Sequence, residues 1–115
     1  MDGMIKRVEL RASQSAVETE ILKVLYDYEE LVLKAKNNGR RVRAIYTWRM
    51  FDEHGIIEAI ERLMRTRKRQ TGFNGLREMG LQYSTFEAVV VRHPKSFTPE
   101  AVKRAKQRLE EKLDN

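Results

Sequence analysis

Apolar side chains recur at alternating steps of four and three residues along the segment from Ser15 to Ala35. The series consists of Val17, Ile21, Val24, Tyr28, Leu31 and Ala35. This spacing places side chains on one side of an α-helix, so the pattern predicts a helix of about six turns. Ser13 or Ser15 is suited to cap its start. Asn37-Asn38-Gly39 follows and supplies the residue types that end helices in the left-handed conformation.

Four shorter segments also have helical patterns. We predict one helix over Arg41–Glu53 and another from Ile56 to about Lys68, because apolar residues recur at helical spacing in both. A short helix is predicted between Thr71 and Gly80. The last helix starts at Thr98-Pro99-Glu100, where a capping residue precedes a proline in the first turn.

The segment after Gly80 contains signals for two different structures. Ser84-Thr85-Phe86-Glu87 fits a capping box with Ser84 at the N-cap, which predicts a helix. Val89-Val90-Val91 favours a strand instead, because β-branched residues lose rotamer freedom in helices. We prefer the helix.

These elements predict a single compact all-α domain of five or six helices over residues 13–115. The long N-terminal helix is expected to pack on a cluster of the shorter helices. Residues 1–12 show no sustained hydrophobic period, and we interpret them as a flexible N-terminal arm.

Composition narrows the class of protein. The 115 residues are 41% hydrophobic and 35% charged, which is typical of a folded domain. The chain has no cysteine, which excludes disulfides, thiolate metal sites and cysteine nucleophiles. No apolar run approaches the roughly 18 residues that span a bilayer, and the first residues lack the features of a secretory signal. We therefore expect a cytoplasmic protein without a membrane partner.

Candidate catalytic chemistry is sparse. His54 and His93 each stand beside a helix-ending Gly or Pro, without a second ligand at the spacing usual for metal sites. The acidic pairs Glu29-Glu30 and Glu110-Glu111 are expected on exposed helix faces, where carboxylates are poor general acids. No phosphate-binding glycine loop and no nucleophile with its base is recognisable. The sequence predicts a protein that is not an enzyme and has no metal or other cofactor.

The distribution of charge is the strongest functional signal. The formal net charge is +6, and residues 40–69 alone carry nine basic and four acidic side chains. The nine basic residues are Arg40, Arg41, Arg43, Arg49, Arg62, Arg65, Arg67, Lys68 and Arg69. Arginine suits bidentate phosphate contacts, and Arg62, Arg65 and Arg69 would share one helix face. We therefore predict non-specific binding of a DNA or RNA backbone by these nine residues, although they could equally form a solvated surface paired with Glu58 and Glu61.

Two aromatic residues lie next to this cluster. Tyr46 and Trp48 could stack on bases of a single strand or fill the core. Since Trp48 is aligned with Val42 and Ile45 at helical spacing, we expect both aromatic residues to be buried.

A second function from another class is open. The apolar side of the long helix is wider than a coiled-coil seam, so it could form a homodimer or bind a partner protein. The residues expected at that interface are Val17, Ile21, Leu25, Tyr28 and Val32.

Several short motifs between Arg43 and Leu109 are distinctive in combination. They are Tyr46-Thr47-Trp48-Arg49-Met50, His54-Gly55, Gly72-Phe73, Gly80-Leu81, Thr85-Phe86-Glu87-Ala88-Val89-Val90-Val91, His93-Pro94 and Phe97-Thr98-Pro99-Glu100-Ala101-Val102. In these motifs the chain resembles a family of small bacterial all-α proteins for which no activity is established. The resemblance implies a bacterial helical domain and an accessory role in an unknown pathway, and it transfers no functional residue.

Overall fold

The computed structural model describes residues 2–12, 15–66 and 71–111. All regular structure in these ranges is helical, without a strand, which confirms the all-α prediction. Seven α-helices occur in the described residues: α1 (Asp2–Ala12), α2 (Ala16–Tyr28, continued by a π-helical turn Glu29–Leu33 and a last turn Lys34–Lys36), α3 (Ile45–His54), α4 (Ile56–Arg65), α5 (Thr71–Glu78), α6 (Phe86–Arg92) and α7 (Pro99–Glu110). The radius of gyration, 13.6 Å, is that of a compact chain of this length.

The first segment differs from the expected flexible arm. Residues 2–12 form α1, which packs against α3 and α2 and buries Ile5 and Val8. Tyr26 donates a hydrogen bond to the Glu9 carboxylate from α2. A helix of this length is marginal in water, and tertiary contacts of this kind stabilise it. The segment contributes only these few apolar contacts, and this explains why no sustained period was visible.

The long helix is the second of the chain, not the N-terminal one, because α1 precedes it. Ser15 caps it, accepting a hydrogen bond from the Glu18 backbone N–H at 3.2 Å. Within the π-helical turn, the Lys34 N–H bonds to the carbonyl of Glu29. Gly75 of α5 packs tightly against Val32 of this turn.

The remaining helices occur in the predicted order, but several begin or end at other residues than predicted. Thr98 caps α7 as predicted, and α6 is a helix whose N-cap is Thr85, not Ser84. The helix predicted over Arg41–Glu53 starts only at Ile45. Its neighbour α4 ends at Arg65, before the predicted Lys68, because Thr66 adopts an extended conformation.

One buried ion pair joins three helices at the end of α4. Arg108 of α7 donates to Glu87 of α6 at 3.1 Å, and both side chains are buried. The same guanidinium donates to the carbonyl oxygens of Leu63, Met64 and Thr66, at 3.1, 3.0 and 2.6 Å. It thereby satisfies carbonyl groups that the end of a helix leaves free.

Two features are absent from the described residues. Over residues 2–12, 15–66 and 71–111, no helix has the length and apolar character needed to cross a membrane. The same ranges contain no group of three His, Asp or Glu side chains that could hold a metal ion.

Candidate nucleic-acid interface

The nine predicted basic residues separate into three groups. Arg67, Lys68 and Arg69 lie outside the described residues. Arg43, Arg62 and Arg65 form ion pairs with acidic side chains. The remaining three are exposed, and within the part of the chain that the structure describes their side chains have no hydrogen bond or ion pair: Arg40, Arg41 and Arg49.

The two described members of the predicted basic face on α4, Arg62 and Arg65, are paired with acidic side chains, which is the alternative that the sequence left open. Glu58 accepts from Arg62 Nε at 3.1 Å and from Arg65 at 3.3 Å. Glu61 lies 3.5 Å from Arg65 as well. Both guanidinium groups keep nearly half of their side-chain surface exposed. The spacing that aligns the arginines also aligns the two glutamates with them.

Glu29 organises the segment that leads into α3. Its Oε2 accepts hydrogen bonds from the Ala44 backbone N–H at 2.7 Å, from Trp48 Nε1 at 2.7 Å and from Arg43 Nε at 3.2 Å. The expectation of an exposed Glu29 was therefore wrong, since the residue is only 6% exposed. Its carboxylate satisfies an amide at the start of α3 in place of a local capping side chain, and the helix begins there.

Arg43 is held by this carboxylate and by aromatic rings. Its guanidinium carbon lies 5.2 Å from the Trp48 ring centroid and 6.0 Å from that of Tyr26, within the range of cation–π attraction. One terminal nitrogen, Nη2, is buried without a hydrogen-bond partner among the described residues. Arg43 therefore belongs to a partly buried polar site, and it is not part of an exposed phosphate-binding surface.

A groove between α3 and α4 brings together two arginines that the sequence placed in one surface. Its volume is about 380 Å³. Arg49 and Tyr46 from α3 line it, and Arg62 lines it from α4. The other lining residues are Met50, Glu53, His54, Leu63 and Thr66. We call this space the arginine groove.

Tyr46 and Trp48 have opposite environments, although only one residue separates them. Trp48 is fully buried, which confirms the expectation that it fills the core, and it packs edge-on against Phe51. Tyr46 is 68% exposed, so the expectation of burial was wrong for this residue. Steps of two residues on a helix turn side chains to different sides. Tyr46 therefore stands on the same side of α3 as Arg49, three residues further on.

Tyr46 also lines a second cavity, with a volume of about 330 Å³. We call it the apolar cavity, because its wall consists mainly of hydrophobic side chains. Tyr46 and Leu63 line both spaces. The polar residues in its wall are Arg43, Thr47, Thr85 and Glu87. Sequence patterns do not predict this cavity, because its wall is assembled from distant parts of the chain: α2 with its π-helical turn, residues 42–47, Leu63 of α4, Leu76 of α5 and residues 85–87.

The five residues predicted to form a dimer interface do not form an exposed surface, so this prediction is wrong. Ile21, Leu25 and Val32 are buried in the core of the same chain, and Val17 and Tyr28 are partly buried against it. The wide apolar side of α2 is explained by contacts with α1, α4, α5 and α6 within one molecule. A homodimer through another surface stays a prediction.

The two histidines lie at helix ends. His54 ends α3 and is exposed. His93 Nε2 lies 2.6 Å from the Glu20 carboxylate, which also accepts from Arg92 at 3.0 Å. Glu20 is partly desolvated, but the hydrogen bonds from His93 and Arg92 outweigh this effect and lower its pKa.

Comparison with family models, with curated proteins and with solved structures gives no match to this chain. The resemblance to small bacterial all-α proteins therefore stays a prediction.

Proposed function

We propose that this protein is a non-catalytic accessory protein that binds single-stranded nucleic acid through the arginine groove. The observation that carries the proposal is the position of Tyr46, which is exposed, lines both the groove and the apolar cavity, and stands on the same side of α3 as Arg49. Proteins that hold single strands combine a cationic groove with aromatic side chains on which bases stack. The arginine groove supplies both.

Three exposed cations are available for phosphate: Arg49 lines the arginine groove, whereas Arg40 and Arg41 precede α3 and are not among the residues that line it. Because they have no carboxylate partner within the described residues, a phosphate need not displace one. Arginine forms two parallel hydrogen bonds with phosphate oxygens, which fixes the backbone as well as attracting it. Contacts of this kind carry no sequence information, so binding along the groove should depend little on base sequence.

Arg62 is a fourth contact for phosphate. It lines the groove, and its partner Glu58 is nearly half exposed. Exposed ion pairs of this kind contribute only about 0–1 kcal/mol, so a phosphate competes with Glu58 at little cost. The pair therefore weakens the predicted cationic surface without removing Arg62 from it.

A pair of tyrosine variants tests the proposal. Tyr46→Ala should weaken binding of a fluorescent oligothymidine strand about tenfold, the loss expected for one base–aromatic stack. Tyr83→Ala is the matched control, because Tyr83 is 76% exposed and lines neither cavity. Fluorescence anisotropy gives both affinities, and circular dichroism verifies that both variants keep the fold. Equal affinity of Tyr46→Ala and the unaltered protein contradicts the proposal.

A further inference from the structure

We propose that the apolar cavity receives one guanine base from the bound strand and that Arg43 recognises it. This inference rests on the proposed function, since the base would enter from a strand held in the arginine groove. Tyr46 lines both spaces, so a nucleotide stacked there is next to the cavity. Leu63 forms a second shared wall.

The cavity has the character of a site for a flat, uncharged molecule. Its volume of about 330 Å³ lies within the range of small-molecule sites. Most of the wall is apolar, and the aromatic rings of Tyr28 and Phe86 are part of it. Apolar and aromatic walls with few polar groups bind a ring by dispersion and select it by its edge.

The acidic groups around the cavity disfavour an anionic ligand. Glu29 compensates the charge of Arg43, and Arg108 compensates that of Glu87 in the cavity wall. A phosphate or carboxylate would therefore add an uncompensated charge in a poorly solvated space. A neutral ring with acceptor atoms adds none.

Arg43 supplies the unsatisfied donors. Among the described residues, the only hydrogen bond of its side chain runs from Nε to Glu29, and Nη2 is buried without an acceptor. A buried donor without a partner lowers stability, and a ligand that provides an acceptor recovers this loss. Guanine offers two adjacent acceptors, O6 and N7, which match the fork of an arginine. Adenine places an amino donor beside N7, so it satisfies the fork only in part.

The ligand series uses the unaltered protein and oligothymidine strands with one changed central nucleotide. The central position carries guanine, hypoxanthine, 7-deazaguanine, adenine or no base. Hypoxanthine keeps both acceptors and should bind as guanine does, whereas adenine and the abasic site should bind about tenfold more weakly. The 7-deazaguanine strand lacks N7, so its affinity should lie between that of the guanine strand and that of the adenine strand. Equal affinity for all five strands overturns the guanine site and leaves the proposed function intact, whereas no binding of any strand overturns both.

Protein variants test the role of Arg43. Arg43→Lys keeps the charge beside Glu29 and loses the fork, so it should abolish the tenfold preference for guanine over adenine. Arg49→Gln is the matched control, since it should weaken all strands equally and retain the preference. A preference that survives Arg43→Lys overturns the assignment to Arg43. If that variant fails to fold, the ligand series on the unaltered protein decides the proposal by itself.

Discussion

Trp48 donates its indole N–H to Glu29 Oε2 at 2.7 Å, and this bond joins the π-helical turn of α2 to α3. The same oxygen holds Ala44 and Arg43. Arg43 and the first turn of α3, which carries Tyr46, thus depend on one buried carboxylate. π-helical turns often occur at functional sites, and here the turn bears the residue that positions both candidate binding spaces.

Removal of the Glu29 carboxylate should destabilise the fold strongly. Glu29→Ala leaves the Trp48 N–H and the Ala44 N–H without an acceptor and leaves Arg43 without its counter-ion. We expect the free energy of unfolding to fall by about 3 kcal/mol or more. The matched control is Glu30→Ala, because Glu30 is exposed and its pair with Lys34 contributes about 0.5 kcal/mol or less. Urea denaturation measures both, and equal effects would contradict the assigned role.

The buried pair of Arg108 and Glu87 gives a second stability prediction. Arg108→Met leaves the buried Glu87 carboxylate without this cation and removes the guanidinium donor from the carbonyl oxygens of Leu63, Met64 and Thr66. The loss should be about 3–5 kcal/mol. Adding Glu87→Gln should recover part of it by removing the charge. Lys103→Met, on the exposed side of the same helix, should change the free energy of unfolding by less than about 0.5 kcal/mol.

The contact between α5 and the π-helical turn is testable by one methyl group. A Cβ on Gly75 would lie 2.9 Å from Val32 Cγ1, closer than side chains tolerate. Gly75→Ala should therefore cost about 1–3 kcal/mol, and Val32→Ala in the same chain should relieve part of the clash. Gly3→Ala in α1 meets no atom within 4 Å and should be neutral or stabilising. Thermal denaturation compares Gly75→Ala, Val32→Ala, the double variant of the two, and Gly3→Ala. If the effects of Gly75→Ala and Val32→Ala simply add in the double variant, the clash is refuted.

Tyr26 makes stability depend on alkaline pH. Burial, together with the hydrogen bond and the nearby charge of Glu9, raises its pKa well above the ordinary value of 10.0. Below that value the phenol is protonated in the folded and unfolded states alike, so its contribution is fully present. As the pH rises above it, the unfolded chain releases the proton first and the free energy of unfolding falls. Tyr26→Phe should show a smaller fall between about pH 8 and about pH 11, measured by urea denaturation. Identical pH profiles would contradict this assignment.

The helices could be predicted from the sequence wherever local signals agree. Ser15 and Thr98 each cap the helix that follows them. The capping signal before Phe86 correctly predicted a helix, although the three valines favoured a strand. The helix α1 was missed because its stability comes from contacts with distant elements. The late start of α3 was missed because its first amide is satisfied by Glu29, 15 residues earlier.

The candidate site was predictable only in part. The excess of arginine is visible in the sequence, and α3 and α4 do bring Arg49 and Arg62 to one groove. Ion pairing was anticipated for Glu58 and Glu61 as an alternative, and spacing alone could not decide between paired and free cations. The buried position of Arg43 and the exposure of Tyr46 depend on how α3 is rotated against its neighbours, which a single helical period does not specify.

The salt dependence of single-strand binding tests the central claim most directly. Each phosphate contact contributes about −0.7 to the slope of log affinity against log salt concentration. Replacing the two arginines that line the groove, Arg49 and Arg62, together by Gln should therefore reduce the magnitude of that slope by about 1.4, whereas replacing the exposed Lys95 and Lys103 by Gln removes the same charge elsewhere and should leave it nearly unchanged. If the two double variants have the same slope, the arginine groove is not where the strand binds.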